Sequence, residues 1–344
     1  MMQIISVDHR TAPLAVRERF ALTSERRLGL MRELHKNGIC SVLISTCNRF
    51  EVCTDSGGDI RPYICAAAGC TLRYLTKYAV IKTGRDAAEH LFATAAGLNS
   101  MVLGEDQILG QIKRAFELSR SMGFTNSYLN TLFRLAVTSA KRVKTETLLS
   151  STPVSAAGIA LKAARSELGG TVNTALIIGA GGKTGSVIAK DLAGLCREII
   201  TIRGSAPHGA YPPGAELIDY AARYDYIDDA DLIVSATTAP HKTIEERKIT
   251  FKTRKKRVFL DMAVPSDMDV SPSPENIVIN IDMIKTAAEE NNRTRAAEAL
   301  RALPIIDRCI DEFYDWLERK KRYEHKNRNA LKRAGASSGT PCNA

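Results

Sequence analysis

The sequence predicts an α/β protein in three parts, and three features carry that expectation. Residues 1–150 alternate short apolar runs with helical patterns. A second apolar run, Thr174-Ala175-Leu176-Ile177-Ile178, ends in glycines and is followed by further short runs with helical stretches between them. From residue 282 to residue 333 almost every position is compatible with helix. The expected architecture is an N-terminal α+β domain over 1–150, a domain built on a parallel sheet over 151–281, and a long helix with a basic tail over 282–344. A chain of 344 residues is too long for one ordinary core, which agrees with a division into parts.

In the first part, residues 3–7, 41–45 and 50–54 read as strands. Residues 86–98, 105–122 and 126–147 repeat apolar positions at helical spacing. Residues 155–168 predict a connecting helix. In the second part, runs at 174–178, 198–202, 231–235, 258–261 and 277–279 give the βαβ rhythm of a parallel sheet. The last helix, about 50 residues at about 1.5 Å each, would form a rod of roughly 75 Å. Pro304 within it predicts a kink or a new helix start. The closing AGASSGTPCNA reads as a disordered tail, and no internal repeat is present.

A 44% hydrophobic content with 25% charged residues is that of a soluble globular protein, and no apolar run approaches a membrane span. The opening MMQIISVDHR lacks the basic and apolar regions of a secretory signal, so a cytoplasmic protein with free thiols is expected. The eight cysteines form no CxxC pair and no zinc-finger spacing, and no metal site is expected. A net charge of +10 suits a polyanionic partner.

The best-defined motif is LIIGAGGKTGSVIAKDL, residues 176–192. A strand, a glycine turn and a helix bring backbone N–H groups and a helix N-terminus to a pyrophosphate, the arrangement of a Rossmann-type dinucleotide site. Gly179, Ala180, Gly181, Gly182, Lys183 and Thr184 are its candidate residues. At the end of the next strand, where NAD enzymes place a carboxylate, this chain has Arg203 with Ser205 nearby. A 2′-phosphate fits that pair, so NADPH is the expected cofactor.

Cys47 follows an apolar strand and stands among Thr46, Asn48, Arg49 and Glu51. A nucleophile, a metal ligand and ordinary packing all fit that position. A nicotinamide reductase acting on a carboxylic ester needs an acyl carrier, and a thiolate supplies one as a thioester. Arg49 is expected to lower the thiol pKa and to bind a carboxylate.

SVDHRTAPLAVRERF (6–20), STCNRFEV (45–52), HLFATAAGLNSMVLGEDQILGQIKRAF (90–116), DMAVPSDMD (261–269) and IDRCIDEFYDWL (306–317) together resemble glutamyl-tRNA reductase, the first enzyme of the C5 route to tetrapyrroles. The resemblance implies a catalytic domain, an NADPH domain and a "spinal" helix. It also implies NADPH-dependent reduction of glutamyl-tRNA to glutamate-1-semialdehyde through a Cys47 thioester, in the cytoplasm. Thr46, Asn48, Arg49, Ser100, Glu105, Gln107 and Gln111 then match the substrate pocket, with Asp106 between them. His90 matches a histidine expected to transfer a proton near the leaving oxygen or to orient the substrate. His9 matches a family position without an assigned role.

The chain also departs from the family. Its glycine motif is one residue longer, Asn99 replaces an aspartate, and Ser266 replaces an arginine. Against the resemblance, the C-terminal dimerisation domain is expected to be largely absent, with a basic segment at 319–333 in its place. Glutamyl-tRNA is the implied partner, with glutamate-1-semialdehyde aminomutase as a further one. A homodimer weaker than the family's is expected, held by a stripe of Ile305, Ile306, Cys309, Ile310, Phe313, Trp316 and Leu317. The same stripe could instead pack within the chain. The alternatives are a reductase of another acyl substrate and a non-catalytic tRNA- or tetrapyrrole-binding relative. The cofactor reading is tested by Arg203→Glu, which should weaken NADPH use and leave NADH less affected. Equal kcat/KM for both cofactors in the unmodified protein would contradict it.

Overall fold

The computed structural model describes residues 2–105, 107–149, 155–202, 211–239 and 241–336. In the N-terminal part, β1 (Gln3–Asp8), β2 (Ser41–Ser45), β3 (Arg49–Thr54) and β4 (Val80–Thr83) form an antiparallel sheet in the order β2-β3-β1-β4. Side chains alternate between its faces. Ile5, Val7, Leu43, Phe50 and Val52 meet α1 (Leu14–Phe20), α2 (Ser24–Lys36), α3 (Arg61–Ala68) and α4 (Leu72–Tyr78). Ile4, Val42, Ile44 and Cys53 meet α5 (Gly84–Ala95), α6 (Gln107–Ser121) and α7 (Ser127–Glu146). Both faces are covered, which is why residues 41–45 read as continuously apolar. β4 is a short and largely exposed edge strand, and its sequence, VIKT, carries little strand signal.

After α8 (Ala156–Glu167) come β5 (Thr174–Ile178), α9 (Lys183–Leu192), β6 (Arg197–Ile202), β7 (Glu216–Asp219) and β8 (Leu232–Ser235). β9 (Ile244–Glu245), β10 (Arg257–Asp261), β11 (Met268–Asp269) and β12 (Asn276–Asn280) follow. Six of these strands form one parallel sheet in the order β12-β10-β8-β5-β6-β7, and β9 pairs separately with β11. The chain runs outward from β5 to β7 and then crosses back to β8. A crevice therefore opens between the carboxyl ends of β5 and β8, the switch point where such sheets bind ligands.

α10 (Lys285–Ala336) is a 52-residue helix. It runs through Pro304 without a new start, which excludes one of the two outcomes expected there. Ala302 on one side of the proline and Ile305, Ile306, Cys309, Ile310 and Phe313 on the other are buried in the N-terminal core, and this packing holds the helix through the missing hydrogen bond. The apolar stripe expected to hold a second copy is thus spent within the chain. Trp316 packs against the same core, and the ion pairs Arg142–Glu312 and Arg85–Asp311 flank it. The expected tail begins inside this helix, and residues 337–344 lie outside the described residues.

The RKKR run at 254–257 is structural. Arg254 pairs with Glu275, Lys255 with Asp231, Lys256 with Glu167, and the buried Arg257 with Asp228. Among the described residues no helix is long and apolar enough to cross a membrane.

Candidate active site

Residues 46–48 join β2 to β3 in a tight bend. The Thr46 N–H donates to the Arg49 carbonyl at 2.8 Å, and Thr46 Oγ1 accepts from the N–H groups of Asn48 and Arg49 at 3.2 Å each. Thr46 therefore builds the bend that presents Cys47. From α1, the buried Arg17 donates to the Cys47 carbonyl at 2.6 Å and to Asn48 Oδ1 at 3.3 Å, and pairs through Nη2 with Asp282. Asp282 follows β12, so one guanidinium joins the Cys47 bend to the segment that leaves the parallel sheet. The Leu14 N–H also donates to Asp282, and the Ser266 N–H donates to Glu18.

Cys47 lines a cavity of about 40 Å³, walled on one side by Arg49, Ser100, Glu105, Gln107 and Gln111 and on the other by Thr184, Met262 and Ile281. The polar α6 row expected from the sequence is therefore assembled at the cysteine, and Asp106 lies outside the described residues. The loop carrying Ser100 and Glu105 is held by α10. Asn292 accepts from the Leu103 N–H and donates to the Met101 carbonyl, and Arg295 donates to the Leu103 carbonyl. Gly104, at φ 73°, is required there, because a Cβ would lie 2.4 Å from the Leu149 carbonyl oxygen.

Beneath the bend lies a buried ionic cluster centred on Glu51. Its Oε1 accepts from Arg49 at 2.8 Å, from His90 Nε2 at 2.9 Å and from Ser6 at 3.1 Å. Burial works against the Glu51 carboxylate, but the Arg49 charge and the His90 contact outweigh it and hold the pKa at about 2. Arg49 also donates to Thr94 Oγ1 and to the Asn99 carbonyl. Asn99 in turn donates to Thr94 and to the His90 carbonyl and accepts from Arg10. His90 is absent from the cavity lining and faces Glu51.

The thiol itself departs from expectation. Burial pushes the Cys47 pKa up to about 11, Glu105 adds to the rise, and Arg17 and then Arg49 pull against it. The expected activation by Arg49 is present in sign but is overcome by burial and by Glu105, and Glu51 pairs with the arginine. His9, whose N–H donates to the Asn48 carbonyl, is lowered to about 4 by burial.

A second cavity, of about 480 Å³, opens at the carboxyl ends of β5, β6 and β8. Gly179, Gly181 and Gly182 line it with Thr201, Tyr211, Thr237 and Thr238. A Cβ on Gly179 would lie 2.7 Å from the Ala236 carbonyl oxygen, and one on Gly185 would lie 2.3 Å from the Gly179 carbonyl oxygen. Gly185 is thus the third glycine of the motif, which accounts for the extra residue, and lets α9 close onto the turn. Among the other residues expected here, Ala180 turns into the core, Thr184 faces the Cys47 cavity and Lys183 reaches toward α6. Arg203 and Ser205 lie outside the described residues. Asp267 braces the far wall by accepting from Ser235 and from the Thr237 N–H and hydroxyl. The cradle and its size fit a dinucleotide.

A thiol at the seam between an amide-lined pocket and a dinucleotide crevice defines a nucleotide-dependent oxidoreductase. Comparison with known proteins narrows the class. Residues 5–147 match the family model for the N-terminal domain of glutamyl-tRNA(Glu) reductase, and residues 162–287 match that for shikimate/quinate 5-dehydrogenase. The chain is 36% identical over 324 residues to glutamyl-tRNA reductase of Acetivibrio thermocellus, covering 92% of this chain and 97% of that one. It is 32% identical to that of Clostridium novyi, covering 93% and 80%. The solved glutamyl-tRNA reductase of Methanopyrus kandleri superposes over 97% of this chain and 87% of its own, with a TM-score of 0.51 and 26% identity. The chain belongs to the glutamyl-tRNA reductase family.

Sequence reasoning missed Arg17, Glu51, Asp282 and Gly185. Only Gly185 left a readable signal, a glycine one residue beyond the usual spacing.

Two outcomes are expected. Glu51→Gln leaves Arg49 buried and uncompensated, and should cost about 3–5 kcal/mol in a denaturant melt. Folding depresses the Glu51 pKa, so its stabilisation is complete above about 4.5 and is lost as pH falls toward about 2, and that acid sensitivity should shrink in the variant. Separately, iodoacetamide labelling of Cys47 in the free protein, followed by peptide mass spectrometry, should still be rising above pH 9. At neutral pH it should be about a hundredfold slower than at an ordinary thiol. A plateau near pH 8.5 would contradict the raised pKa.

Proposed function

We propose that this chain reduces the glutamyl ester of glutamyl-tRNA to glutamate-1-semialdehyde, with NADPH as reductant and Cys47 as nucleophile. The observation that carries the reading is the convergence on one cavity of Cys47, the Glu105–Gln107–Gln111 row and Thr184 of the glycine-loop helix.

The Cys47 thiolate attacks the ester carbonyl. A C–S bond forms, the C–O bond to the ribose breaks, and the ribose oxygen takes up a proton as the tRNA leaves. NADPH, when bound, supplies the hydride that brings the thioester carbon to the aldehyde level. Collapse of the thiohemiacetal expels the Cys47 thiolate and releases the semialdehyde, so the thiol is regenerated. Gly179, Gly181 and Gly182 offer backbone N–H groups to the pyrophosphate, and Arg203 with Ser205 is the proposed 2′-phosphate site. Ser100, Gln107 and Gln111 hydrogen-bond the glutamyl group, and Glu105 accepts from its ammonium. Arg49 and Asn48 shape the wall around the nucleophile, while Arg17 acts as a positioning residue through the Cys47 carbonyl. His90 acts at one remove, holding Glu51 and through it Arg49.

A single turnover with charged tRNA but no NADPH should leave a glutamyl adduct on Cys47, detectable by mass spectrometry of trapped protein. Cys47→Ser should form no adduct and no semialdehyde, because an oxygen ester would only replace the starting ester. An adduct on Cys40 or Cys53 would overturn the assignment.

A further inference from the structure

An ester substrate places its alcohol one bond from the carbonyl under attack. When Cys47 reaches the acyl carbon, the terminal nucleoside must lie in a space adjoining the Cys47 cavity, because about 40 Å³ cannot contain it. On one side the cavity is walled by Thr184, in the first turn of the helix that follows the glycine turn. On the other, Gln111 is a shared wall with a groove between α2 and α6, and the neighbours Ser45 and Thr46 line the groove and the cavity respectively.

That groove has a volume of about 470 Å³. Its floor is apolar, made of Leu28, Met31, Leu118 and Met122, and Leu118 and Met122 are 54% and 40% exposed one helical turn apart on α6. Arg27 and Arg114 stand over this floor. Arg27 bonds only Ser24, and among the described residues neither arginine pairs with a carboxylate. Lys183 Nζ lies close to Arg114, both within 4 Å of one point beside Gly110, and burial together with the Arg114 charge lowers the Lys183 pKa. Cations held together without an anion, beside exposed apolar side chains, match a ligand with phosphates and flat bases.

We propose that the groove between α2 and α6 receives the 3′-terminal nucleotides of the substrate RNA, with a base on Leu118 and Met122 and phosphates on Arg27 and Arg114. The proposal rests on the reading of the Cys47 site given above. It places cofactor and RNA on opposite sides of the nucleophile, so that neither blocks the other.

The test uses the full chain and two variants, Leu118→Glu and the double variant Arg27→Ala/Arg114→Ala. Turnover is measured with charged tRNA and with a glutamyl thioester of a small thiol. Each variant should lose about tenfold or more in kcat/KM on charged tRNA, about 1.4 kcal/mol, relative to any loss on the thioester. In the double variant the salt dependence of binding uncharged tRNA should also fall, by about 0.7 in log–log slope per lost contact. Equal losses on both substrates, or tRNA binding insensitive to all three substitutions, would overturn the groove. Failure of the unmodified protein to turn over charged tRNA, with thioester reduction intact, would instead overturn the reading of the Cys47 site, and binding of uncharged tRNA would still judge the groove.

Discussion

Arg17 joins the two halves of the active site, and the rest of the site depends on that join. Taking a guanidinium out of water costs several kcal/mol unless its donors are satisfied. Here the Ala12 and Cys47 carbonyls, Asn48 Oδ1 and Asp282 satisfy them. The short helix that carries Arg17 also offers its Leu14 N–H to Asp282, and its Glu18 accepts from Ser266. Polar links from α1 therefore help to set the position of the cysteine bend relative to the cofactor crevice, beside the apolar packing of Met101, Val102 and Leu14 on the core of the parallel sheet. Ser266, where the family usually has an arginine, still makes one of those links through its backbone.

The second constraint is the charge on Glu51. Three donors converge on one of its oxygens, and one of them, Arg49, is nearly inaccessible. A residue that looks catalytic beside Cys47 thus spends most of its hydrogen-bonding capacity inside the fold, as does His90. Removing Arg49 would leave an ionised carboxylate without its counter-charge, and removing His90 would take away one of its three hydrogen bonds, so loss of activity in such variants mixes chemistry with stability. The positive charge near the thiol is also weaker than the sequence suggests.

The strands of both sheets were legible because buried strands flanked by turns or helices carry dense apolar runs, and because β5 ends in glycines. β4 and β7 were not, since four-residue strands with exposed positions resemble loops. The candidate site was legible mainly through the family resemblance, since Cys47 alone left nucleophile, metal ligand and packing open and the α6 amides by themselves resemble a solvated helix face. Arg17 and Asp282 lie 265 positions apart and meet only through packing of the two parts, which no local pattern encodes. The RKKR run shows the opposite case. Four adjacent cations look like a solvated charge run, yet each is matched by a carboxylate from elsewhere in the chain.

Met262 and Ile281 line the small cavity beside Cys47, where burial raises the thiol pKa. A glutamyl ester is larger than that cavity, so its entry requires the lining to open, and opening lessens the burial that holds the thiol protonated. A movement that also parts Arg17 from Asp282 would leave the guanidinium beside Cys47 with its charge uncompensated, favouring the thiolate further.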